Sequence, residues 1–261
     1  MSLRNLFPIA VLCVSGLSLH AASTKEDALR AAGIAVPPPK AAEAPVKVGT
    51  PDMEPLMVKR GKLIFQDSFD KGTINTKNWN HYKGNWEADG DGIKAQELAS
   101  DMHHPAMQHR LGKTGFKDVI VQASFKFDGG KWMGLSLDNK EHVARCMMTP
   151  TDFKIVKMSG IGGTTKGENV DQKKFKFETG KWYTMLWEIR GQEMFARIND
   201  ETYIFGEMAG VETDKLGFEL ICGGEWCGWD EVRIWEAEEN PKWATTKANL
   251  LALKKTPTKK P

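Results

Sequence analysis

Cysteine is scarce in this sequence, at four in 261 residues, and none stands beside histidines at ligand spacing, which speaks against zinc-finger and zinc-ribbon patterns. Long apolar runs are missing too. Leu6 to Leu19 is almost wholly apolar or small, yet it falls short of the roughly 20 residues that a membrane-spanning helix needs. No stretch between residues 60 and 237 repeats apolar residues at helical spacing over a dozen positions, which argues against a helical bundle. A basic surface is also absent from the body. The whole chain carries +2, but that charge sits at its ends: setting aside six C-terminal lysines and the first sixty residues, with seven basic and five acidic side chains, leaves −6 over residues 61–239. A nucleic-acid footprint wants clustered basic residues on a folded face, so no nucleic-acid partner is expected.

The two ends read differently from the middle. Arg4, the apolar run and the small-residue boundary at His20-Ala21-Ala22-Ser23 have the three-part layout of a secretory signal over residues 1–23. Cys13 lies inside that run behind Val11 and Leu12, which does not suit a lipid anchor. The expectation is a secreted or periplasmic protein of a bacterial envelope. Residues 24–59 are rich in Ala, Pro and Lys, and Pro37-Pro38-Pro39 favours an extended linker. Residues 238–261 form a basic tail in which Ala248 to Leu253 suits a short helix. Export leaves Cys146, Cys222 and Cys227, and an oxidising compartment permits a local disulfide between Cys222 and Cys227.

What the body does have is alternation. Val119, Val121, Ala123, Phe125 and Phe127 share one face of a strand, with Gln122, Ser124 and Lys126 on the other. Tyr183, Met185, Trp187 and Ile189 alternate likewise, and Met194, Ala196 and Ile198 follow after Arg190-Gly191-Gln192 as the second arm of a hairpin. Many short strands bounded by Gly, Asn, Asp or Pro predict an all-β, antiparallel β-sandwich over residues 60–237.

Gly84 to Ile93, Phe116 to Phe127, Glu141-His142-Val143-Ala144-Arg145 leading into Thr149 to Phe153, Gly180-Lys181-Trp182-Tyr183, and Trp229 to Trp235 resemble, in that order, concanavalin A-like jelly rolls. More narrowly, they are similar to the secreted bacterial 3-keto-disaccharide hydrolase-like proteins. The resemblance implies a carbohydrate substrate or ligand. Family 16 glycoside hydrolases with this kind of fold carry carboxylates as Glu-x-Asp-x-x-Glu on one strand face. Here Glu87-Ala88-Asp89 and Glu212-Thr213-Asp214 begin the run, but Gly92 and Gly217 stand at its last position, so that mechanism is not expected.

His142 and Arg145 match the His-x-x-Arg stretch of the 3-keto-disaccharide hydrolase-like proteins. They suggest an acid or base working near neutral pH beside a cation that holds developing negative charge. Residues three apart on an ideal strand face opposite ways, so the pair meets only across a bulge or if His142 belongs to the preceding turn. The alternative is a loop-capping histidine and an arginine paired with a surface acid. His103, His104 and His109 cluster around Pro105; His104 joins the catalytic candidates, and the cluster leaves a divalent metal open while the sequence dictates no cofactor. Asp89-Gly90-Asp91-Gly92 reads as a tight turn rather than a calcium loop. Trp86, Trp132, Glu225, Trp226 and Trp229, at turns or in the glycine-rich segment 223–230, are the candidate sugar contacts, because indole faces stack on pyranose rings. The rival reading is a non-catalytic carbohydrate-binding or envelope-associated module.

Overall fold

A computed structural model describes residues 52–69, 73–88, 90, 92–110 and 115–255. The expected signal, the linker up to residue 51, the last tail residues, and Asp89 and Asp91 of the tight turn lie outside the described residues. In chain order the strands are β1 (Val58–Asp67), β2 (Trp79–Lys83), β3 (Asn85–Ala88), β4 (Ile93–Gln96), β5 (Ala106–Arg110), β6 (Val119–Asp138), β7 (His142–Thr149), β8 (Asp152–Ser159), β9 (Lys166–Lys174), β10 (Tyr183–Arg190), β11 (Glu193–Ile198), β12 (Thr202–Glu207) and β13 (Gly217–Glu239); helix α1 (Trp243–Lys255) follows.

All pairings are antiparallel, and two strands organise them. β6 and β13, at 20 and 23 residues, are several times longer than the usual five or six, and they run side by side through both layers of the sandwich. Their outer ends, Val119–Phe125 and Asp230–Glu239, pair with β10 and β1, and β11 and β12 extend this back layer. The other ends, Met133–Asp138 and Gly217–Cys222, pair with β7 and β5 to make the front layer, continued by β8, β9 and β2. β3 and β4 attach at Cys227–Trp229. Two separate sheets were the simplest expectation; the hydrogen-bonded ladder is instead continuous around a corner.

Glycines make the corner. Gly129 and Gly224 have φ of +101° and +89°, which side chains tolerate poorly, and the register slips there between Gly223, Gly224 and Trp226 as bulges turn both strands from one layer into the other. A Cβ on Gly130 would lie 2.2 Å from Cys227 Sγ, so the approach at the corner requires its absence.

The alternating residues read from the sequence fill the space between the layers. Trp187, Trp229, Phe125, Phe153 and Leu135 are fully buried there, and Cys146 of β7 meets Met185 of β10 across it, Sγ to Sδ 3.0 Å. The outer face of the back layer is sealed by a second apolar cluster: Met53 and Met57, at 4% and 1% exposure, join Ile120, Leu186, Phe195, Trp235 and Trp243 of α1. The folded body therefore begins before residue 60. Its entry segment is fixed by polar side chains of that face, with Met53 N–H donating to Gln122 Oε1 at 3.1 Å and Leu56, Met57 and Val58 N–H donating to the Glu188 carboxylate at 3.1, 2.7 and 3.0 Å. α1 is longer than the helix read from the tail, and Trp243 explains its docking: the indole packs on Phe195 and Phe205 and donates to Glu193 at 3.0 Å.

Candidate active site on the front layer

Four neighbouring strands bring polar residues into one row on the outer face of the front layer. His109 of β5 is opposite Glu219 of β13, Glu219 is opposite Ser136 of β6, and Ser136 is opposite Arg145 of β7. One step along, Asp138 is opposite His142. The parity that fills the core dictates this arrangement: Phe218, Leu220, Leu135, Leu137, Ala144 and Cys146 point inward, so the residues between them point out.

His142 and Arg145, three apart, converge through a register slip between Leu137 and Asp138. This is the bulge that their meeting demands. Arg145 Nη2 stands 3.2 Å from His142 Nε2. A guanidinium only donates, so Nε2 accepts, the ring proton sits on Nδ1, and Nδ1 donates to Asp138 Oδ1 at 2.6 Å. Ser136 Oγ donates to the same oxygen at 3.0 Å and accepts from Arg145 Nε at 3.1 Å. Arg145, His142, Asp138 and Ser136 thus close a ring of four hydrogen bonds that fixes the imidazole's tautomer and direction.

Glu219 lies against this ring and is 8% exposed. Burial, reinforced by the neighbouring Asp138 carboxylate, pushes its carboxyl up to about 7. His109 Nε2 approaches Glu219 Oε1 to 3.0 Å, without the alignment of a hydrogen bond. Its ring stacks on Tyr82 with centroids 5.0 Å apart, and burial holds its pKa below the ordinary histidine value. A hollow of about 260 Å3 opens over His109, Asp138, His142 and Glu219, bordered by Lys140, Glu141 and the exposed Ile161. A larger hollow of about 650 Å3 lies between β1 and residues 73–78, but Asp67, its titratable group among the described residues, is committed to the Phe69 N–H, Asn78 and the Trp79 indole.

The other candidates disperse. His104 is exposed in the turn before β5 and does not line the hollow. Trp229 is fully buried and Trp86 is 8% exposed with its Nε1 donating to Lys83 O at 2.9 Å; both are core, Trp86 because β3, paired with β4, turns it inward, and Trp229 because segment 223–230 is the interior of β13 and not a rim loop. For the same reason the expected Cys222–Cys227 bridge is corrected: all three described cysteines are free and buried, and Cys222 Sγ stands 3.1 and 3.3 Å from Ala95 O and Glu225 O, either of which can accept its one proton. Trp226 lies under the Lys94 ammonium, 4.5 Å from the ring centroid. Glu225 is exposed beside Gly129. Trp132 shares the site's face by strand parity: it lies across Gly223, where a Cβ would fall 2.0 Å from its Nε1, four residues along β6 from Ser136. Sequence reasoning passed over Asp138 and Glu219. The signal for Glu219 was an acid at an outward position between Phe218 and Leu220.

No protein-family model and no curated protein matches the sequence. Among solved structures, the chain is similar to SCLam, a non-specific endo-β-1,3(4)-glucanase from family GH16, with TM-score 0.52 and 14% identity over 72% of this chain and 94% of that one. The chain has the concanavalin A-like jelly-roll fold. The jelly roll is also similar to the CBM2 module of the evolved Dit of Lactobacillus casei BL23 phage J-1, with TM-score 0.51 and 8% identity over 69% of this chain and 98% of that module.

Proposed function

We propose that this jelly roll is an exported carbohydrate-active protein that cleaves the glycosidic bond of an oxidised, 3-keto sugar in the hollow beside His142. The observation that carries this reading is the closed ring of Arg145, His142, Asp138 and Ser136, two of whose members, His142 and Asp138, line that hollow. Ordinary retaining hydrolysis asks for two carboxyls about 5–5.5 Å apart on either side of the scissile bond, whereas Asp138 and Glu219 sit side by side on neighbouring strands with oxygens within 4.8 Å of each other. A keto sugar needs something else, a base for the proton on the carbon beside the carbonyl and a cation for the oxygen that gains charge.

His142 and Arg145 supply both. The sugar's carbonyl oxygen draws Arg145 off His142, freeing Nε2 to take the carbon-bound proton while Asp138 holds the imidazolium from Nδ1. The glycosidic C–O bond then breaks, and the leaving oxygen takes a proton from water. The hydroxide so formed adds to the double bond while His142 returns its proton to the neighbouring carbon, so the sum is hydrolysis. Trp132, further along the same face, offers an aromatic platform for the rest of a saccharide.

The second reading is a binding module without turnover, and the missing pair of flanking carboxylates favours it. Incubation with a 3-keto-glucoside and with unmodified oligosaccharides separates them. The first reading expects turnover of the keto substrate, lost by at least about 100-fold in His142→Ala. Absence of turnover together with glycan pull-down that weakens in Trp132→Ala would replace it with the second.

A further inference from the structure

The hydrogen bonds of the site leave three buried atoms with no partner: Asp138 Oδ2, Glu219 Oε2 and His109 Nε2. A buried acceptor without a donor is costly, and here two carboxyls face each other. Glu219 is more than nine-tenths buried, so bulk water does not solvate it. The ligand-capable atoms of Asp138, Glu219 and His142 lie within 4.8 Å of one another, and His109 Nε2 is 3.0 Å from Glu219 Oε1.

From this geometry we infer that Asp138, Glu219 and His109 form the binding site of one divalent cation of the Zn2+ or Mn2+ kind. The donor set is two carboxylate oxygens and one imidazole nitrogen, from three adjacent strands of a rigid ladder. Imidazole among the ligands points to a transition ion, and two oxygens fall short of the six to eight that calcium takes. His142 lies close enough to ligate, but its Nδ1 proton is given to Asp138 Oδ1 while Arg145 occupies Nε2. It therefore acts from outside, with Ser136, by turning Asp138 so that Oδ2 faces the ion, the supporting role that outer hydrogen bonds play at metal centres. Tyr82 does the same for His109 by stacking on its ring. His109 Nε2 stands against Glu219 and outside the group of atoms that lie within 4.8 Å of one another, so zinc bonds of about 2.0–2.2 Å require the imidazole to swing toward Asp138, and the open hollow in front leaves coordination positions for water or a sugar oxygen.

This inference concerns the same hollow as the proposed reaction, but its test needs no sugar, so the two fail separately. The full chain, freed of metal by a chelator, is titrated with Zn2+ or Mn2+ alone by calorimetry, and bound metal is counted after dialysis. One ion per chain is expected. Glu219→Gln and His109→Phe should abolish stoichiometric binding, and Ser136→Ala should weaken it by roughly 10–100-fold through Asp138. Should a variant fail to fold, anomalous diffraction from Mn2+ in the unaltered protein decides the matter: a peak between Asp138 and Glu219 supports the site. Failure of the unaltered protein to hold any ion, undiminished binding in folded variants, or a peak elsewhere would overturn it.

Discussion

Glu188 and Glu219 are both buried glutamates on the outer faces of their layers, and burial pushes each carboxyl up to about 7, yet they have opposite fates. Glu188 belongs to the back layer, where the entry segment closes over it and gives it three backbone N–H donors. Glu219 belongs to the front layer, where nothing comparable covers it, and one oxygen has no donor. A buried acid whose lone pairs are met by its own chain is a fastener. One left incomplete beside a hollow is waiting for something from outside. The contrast separates structural from functional burial better than the shared rise in pKa does, because that rise reports desolvation in both places.

The sharpest way to break this contrast is Glu188→Ala. It strands three backbone N–H groups under Met53 and Met57, and at least about 3 kcal/mol of stability should be lost in urea denaturation. The next effect is on pH dependence. Glu188 binds its proton more tightly folded, at about 7, than at the ordinary 4.5, so its contribution is full below pH 4.5 and is lost as pH rises toward 7. Relative to Glu188→Gln, the unaltered protein should lose about 3 kcal/mol across that window, and parallel stability curves would show that the carboxyl is not what its surroundings imply. The smallest effect belongs to Glu219→Gln. Removing a charge that the fold leaves unmet should change stability by less than about 1 kcal/mol, or raise it; a loss like that of Glu188 would make Glu219 a fastener as well.

The all-β body was legible because period-two alternation is a local signal: Val119 to Phe127 and Tyr183 to Ile189 lie in strands whose inward residues are those of the pattern. The corner was not. A strand that bends through Gly129-Gly130 and Gly223-Gly224 carries the same glycines as a loop, so segment 223–230 read as a rim with exposed indoles and a bridge. The Met53–Met57 anchor was hidden for another reason: it depends on Gln122 and Glu188, far away in sequence, and short apolar residues beside prolines carry no periodicity. At the site, the pairing of His142 with Arg145 hung on a bulge that spacing alone did not reveal. Asp138 and Glu219 were invisible because an acid in an apolar strand takes its meaning from the register with neighbouring strands.

The continuity of β6 and β13 around the glycine corner has a mechanical consequence. Neither layer owns a complete set of strands, so nicking either long strand would damage both leaves at once, and the front cannot melt while the back stays whole. Slow amide exchange should therefore extend as one block from Val121 beneath the entry anchor to Leu135 behind the hollow. Rigidity made at one end of the molecule is thereby lent to the hollow at the other.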